Sequence, residues 1–158
     1  MKKPGLLLVT VALATVAITL ASPSAVAQGD ETGVTAAATA AFPDGASLNG
    51  VSVSTLDVGV GTSLESTGDA VGQFFAVLHG TALGQAREIT VDSNVTSGSV
   101  TADGGAILRG AATVDMGGGT VLRGVPFTAT AKADSVLLTL GTSALPAATL
   151  TAGSITID

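Results

Sequence analysis

The chain has 158 residues, twelve acidic and six basic side chains, one histidine and no cysteine. That composition excludes a disulfide scaffold and a thiol nucleophile, and leaves a zinc site almost no ligands of the usual kind. The formal charge of −6 argues against binding a phosphate backbone.

The amino-terminal stretch MKKPGLLLVTVALATVAITLASPSAVAQ has the build of a secretory signal. Lys2 and Lys3 form a short positive region, and an uncharged apolar run extends from Leu6 to Ala21. Ser22 and Pro23 then break it, and Ala25-Val26-Ala27 supplies the small residues that signal peptidase requires. Cleavage is expected after Ala27, which places the mature chain, Gln28–Asp158, in the periplasm or outside a bacterial cell, with no membrane contact after cleavage. Four basic and all twelve acidic residues remain, giving a formal charge of −8. Tyr and Trp are absent and only four Phe are present, so platforms for stacking bases have little material. Val, Ile, Leu and Phe make up about 26% of the mature chain, above the ~20% below which disorder is expected.

Residues 28–41, QGDETGVTAAATAA, are small and weakly patterned and read as a flexible lead or a first edge strand. From residue 42 to 158 the chain reads as one domain of Thr, Val, Ala and Ser punctuated by Gly. β-branched residues favour strands, and glycine breaks them at turns and bulges. Strands are expected near 51–60, 73–82, 87–91, 98–102, 106–116, 120–131, 135–140 and 149–157. Alternation supports several of them. Leu108, Ala112, Val114 and Met116 share one face against Arg109, Thr113 and Asp115. Val125, Phe127, Ala129 and Ala131 oppose Thr128, Thr130 and Lys132. In the last segment Leu150 and Ala152 fall out of phase with Ile155 and Ile157, which a bulge at Gly153 would correct. The expected fold is therefore all-β, an antiparallel sandwich or small barrel of seven to nine short strands. Edge strands of such a sheet offer a route to self-association.

The motif Asp115-Met-Gly-Gly-Gly-Thr120 resembles the phosphate loop of the actin-like ATPase domain in DnaK-type chaperones, over six residues and no further. The resemblance implies a nucleotide phosphate site, whereas the alternating flanks imply a hairpin tip. The flanks favour the hairpin, so no cofactor is expected. His79 is the sole candidate base, and it would need a carboxylate partner. No Gly-x-Ser-x-Gly elbow presents a nucleophile. No metal-ligand spacing occurs either. Phe74, Phe75 and Phe127, with Arg109 and Arg123 of two Leu-Arg-Gly triplets, are the candidate ligand contacts. The expected function is that of an exported, non-catalytic structural, adhesive or binding module. Two alternatives stand beside it: a barrel holding an apolar ligand inside, lined by the Phe74 region, and a barrel enzyme using His79.

Overall fold

The computed structural model describes residues 30–158. The signal peptide expected over 1–27 lies outside the described residues. Ten strands follow one another: β1 (Glu31–Ala41), β2 (Ser47–Leu48), β3 (Val51–Glu65), β4 (Asp69–Ala82), β5 (Gln85–Val100), β6 (Ala106–Asp115), β7 (Val121–Lys132), β8 (Ser135–Leu140), β9 (Ser143–Ala144) and β10 (Ala148–Ile157). Each long strand pairs with its sequence neighbour, all antiparallel. β1 pairs with β10 on one side and β3 on the other, so the sheet closes into a barrel. Of the two architectures open in the sequence, this is the barrel.

Three expectations change. Residues 31–41, read as a lead or an edge strand, form the strand that closes the ring, with eleven residue pairs to β3. Their alternation is of small residues, Val34, Ala38 and Ala40 inward, so the hydrophobic signal is faint although the burial is real. Segments 87–91 and 98–102, read as separate strands, join in the single strand β5, which ends at Val100 before a turn. The intervening Asp-Ser-Asn resembles a turn. Here Asp92 and Asn94 face solvent while Ser93 points inward and donates its hydroxyl to the Ala111 carbonyl at 3.0 Å. In β10 the ladder shifts between Leu150 and Ala152, ahead of Gly153, which leaves Ala152 exposed and Ile155 buried.

Inward positions form one continuous apolar core. Leu56, Leu78, Ile89, Leu108 and Leu138 are completely buried. Phe74 and Phe127 meet across the interior with ring centroids 5.3 Å apart and tilted by 30°. The connections at one end add Phe42, Leu48 and Leu145 to the same core. Outward positions carry Asp57, Asp92, Asn94 and Arg109. The apolar interior differs from the polar interior of membrane-spanning barrels, and the exposed Val71, Phe75 and Leu137 stand among the outward polar residues.

Closure requires strands to bend, and the bends fall where glycine faces inward beside a break in the ladder. A Cβ at Gly80 would lie 2.1 Å from the Ser52 carbonyl oxygen, next to the shift between Val53 and Thr55. One at Gly110 would lie 2.1 Å from the Asn94 oxygen, next to the shift between Val95 and Ser97. Bulges and glycine kinks let a sheet turn a corner while its pairing resumes on either side. Gly61, by contrast, faces open space. Gly80→Ala is expected to destabilise the fold by about 1–3 kcal/mol, the usual cost of forcing atoms into packed space. Gly61→Ala is expected to be neutral or stabilising by up to ~1 kcal/mol, through the unfolded chain's lost freedom. Urea unfolding of the two variants checks this, and equal stability would contradict the assigned corner.

Candidate functional site

Strand register sets a polar line across the outer wall. Thr39 on β1 is directly opposite Asp57 on β3, and His79 on β4 is directly opposite Glu88 on β5. Asp57 reaches diagonally to His79 because Asp57 pairs with Val77, two residues earlier on the same face. Thr39 Oγ1 donates to Asp57 Oδ1 at 2.7 Å, and His79 Nε2 lies 2.9 Å from Asp57 Oδ2. The other ring nitrogen, Nδ1, faces Glu88 Oε1 at 3.3 Å. The imidazole is 37% exposed and Asp57 is half exposed. The Thr39 hydroxyl, and next the His79 ring, hold the Asp57 carboxyl below its ordinary range.

This arrangement limits the chemistry. A catalytic histidine must present one ring nitrogen to a nucleophile while a carboxylate orients the other. Both nitrogens of His79 face carboxylates, and no hydroxyl bonds to the ring among the described residues. Thr39 bonds instead to a carboxylate whose lowered pKa makes it a poor base. The two carboxylates approach opposite sides of the ring, so they do not converge on a point that a metal could occupy. No group of three or more His, Asp or Glu suited to a metal gathers among the described residues.

The glycine loop is a hairpin tip. Met116 N–H donates to the Thr120 carbonyl at 2.9 Å, and β6 and β7 pair on either side of it. Gly117 and Gly119 adopt φ of 69° and 84°. The Gly117 amide, which a phosphate would need, donates to Asp115 Oδ1 at 2.9 Å. Arg87 donates to the Gly117 carbonyl at 2.9 Å, and a Cβ at Gly117 would meet the Glu88 oxygen at 2.2 Å. The loop is thus folded down onto β5.

The remaining candidates separate. Phe74 and Phe127 point inward and belong to the core, while Phe75 points outward and is 45% exposed. The Phe74 region therefore lines the interior with one ring only, because adjacent strand residues face opposite sides. Arg109 sits opposite Thr128 on β7, not opposite Arg123, which lies near the ladder shift between Ala112 and Val114. Both are exposed, and neither makes an ion pair among the described residues. Lys132 pairs with Asp103 at 2.6 Å, tying two hairpin ends together. Lys132, helped by the Thr101 hydroxyl, lowers the Asp103 carboxyl to about 2.

One feature was missed by the sequence reading: a groove of about 380 Å³ on the outer wall over β10, β1, β3 and β4. Its lining includes Ala37, Thr39, Asp57, Gly59, Phe75 and Ala152. The only local signal is a run of small residues at outward positions, which looks the same as ordinary strand filler. Comparison with protein-family models, curated proteins and solved structures finds no match for this chain.

Asp57 also generates a pH prediction. Its folded-state pKa is lowered, so its contribution is present above the unfolded value of about 3.9 and is lost as pH falls through the folded value. Half exposure and solvent screening keep the effect under about 1 kcal/mol. Asp57→Asn is therefore expected to lower stability at pH 6 by less than ~1 kcal/mol. The gap from the parent chain should shrink below about pH 3. Urea unfolding at both values checks it; a gap that widens in acid contradicts the assignment.

Proposed function

We propose that this chain is an exported, non-catalytic all-β domain that acts outside the cytoplasm as a binding module through its outer wall. The observation that carries the reading is the interior. The inward positions are occupied by the chain's own side chains, with Phe74 tilted against Phe127 in the interior. An eight-stranded ring is just wide enough either to be filled by side chains or to hold one small ligand. An apolar ligand in the lumen would need the space that these rings take. The enzyme reading gains a carboxylate partner for His79 in Asp57. It lacks a nucleophile, since no hydroxyl bonds to the ring among the described residues and Nδ1 lies toward Glu88 at 3.3 Å.

Export is supported by the Lys-Lys, apolar, Ala-x-Ala order of the first 27 residues. Native mass spectrometry of material recovered from the periplasm or medium tests both parts. The expected species begins at Gln28 and carries no apolar adduct. A stoichiometric lipophilic adduct that leaves on unfolding would favour the ligand carrier. An intact Met1 on membrane-bound protein would overturn export.

A further inference from the structure

The outer-wall reading raises the question of which chemistry the groove over β10, β1, β3 and β4 accepts. Its floor is small because outward positions on three neighbouring strands carry Ala152, Ala37 and Gly59. One wall is Phe75, which is directly opposite Gly59 and is 45% exposed. At the Thr39 side stands the Asp57 carboxylate. Each of its oxygens accepts one bond from within the wall, from Thr39 and from His79. A carboxylate oxygen has two acceptor sites, so half-exposed Asp57 keeps capacity for a donor in the groove. Across β4 from the groove, Asp92 is directly opposite Phe75 and exposed.

The charge around this feature is one-sided. The four Arg and Lys of the described residues are Arg87, Arg109, Arg123 and Lys132, on β5, β6 and β7. None of those strands lines the groove. An apolar trough with an aromatic wall and a held carboxylate, with no Arg or Lys on its own strands and the His79 imidazole of β4 already against that carboxylate, is complementary to an alkyl stem ending in a positive charge. Arginine fits best. Its stem covers apolar surface, its planar guanidinium stacks on an aromatic face, and its fork bonds a carboxylate.

We propose that the groove is a docking site for an arginine side chain of a partner polypeptide, with its stem over Ala37 and Gly59, its guanidinium against Phe75 and its charge at Asp57. This rests on the outer wall being the working face, and it adds the class of partner.

The test is amide chemical-shift titration of the isotope-labelled mature chain with a short acetylated Gly-Arg repeat peptide. The same peptide with citrulline for arginine keeps the shape and removes the charge. The expected result is saturable shifts confined to Ala37–Thr39, Asp57–Gly59 and Phe75, with none from the citrulline peptide. Asp57→Asn and Phe75→Ala should each weaken binding by about tenfold, the scale of one charged or one cation–π contact. Phe75→Leu keeps apolar bulk without the aromatic face and should bind as weakly as Phe75→Ala. Unchanged amide dispersion elsewhere verifies that each variant is folded. Equal binding of the citrulline peptide would overturn the proposal, as would shifts spread over all exposed carboxylates or unaltered affinity in the variants. Groove shifts that grow with protein concentration alone would assign it to a second copy and overturn it too. Failure here leaves the outer-wall reading standing, because that reading falls only if the barrel proves to carry a ligand inside.

Discussion

Neighbouring strands in this barrel approach so closely at its corners that the backbone itself fills the space where a side chain would begin. At Gly153, as at Gly80 and Gly110, a Cβ would lie 2.1 Å from a carbonyl oxygen of the adjacent strand. All three glycines stand beside a break in the ladder, with Gly80 and Gly110 at inward positions and Gly153 exposed at the groove. The absence of a side chain lets the strand fold over its partner, and the bulge absorbs the change of direction. Without these corners the sheet would stay open, and β1 could not reach both β10 and β3.

Closure then determines what the interior can do. A ring of eight strands has little spare volume. Leucine, isoleucine, valine and the Phe74–Phe127 pair occupy it. The chain has no disulfide to help, so this packing and the closed ladder carry the stability of the fold. Apart from the buried Thr62 and Ser93, the polar side chains of the described residues lie toward the outer wall, where the alternation of β3, β4 and β5 aligns Asp57, His79 and Glu88. In this row Nε2 of His79 lies 2.9 Å from Asp57 and Nδ1 lies 3.3 Å from Glu88, and no hydroxyl bonds to the ring among the described residues. The proposed working surface follows from that displacement.

The outer wall is also uneven in shape and charge. Small residues from β10, β1 and β3 lie side by side and leave a trough, with Phe75 along one wall. The basic residues lie elsewhere on the barrel, and Lys132 is already held by Asp103. Shape and charge therefore coincide at this place on the exterior.

By itself the sequence determined the all-β class, the two faces of β6 and β7, and the hairpin at Gly117–Gly119. These depend on period-two alternation and on turn residues, both of which are local properties. It also showed that Asp57 and His79 were polar residues within strands. It could not show that they touch, because their contact depends on the pairing register of β3 with β4 and on the β3 bulge near Thr55. Closure by β1 was hidden for a related reason: a strand of alanine and threonine carries too weak a hydrophobic alternation to announce that it is buried on one face. The continuity of β5 was masked by turn-like residues that long-range pairing overrides. The groove could come only from the tertiary structure, since its floor, wall and carboxylate come from β1, β3 and β4 in register and from β10, which only the closing of the ring brings beside them.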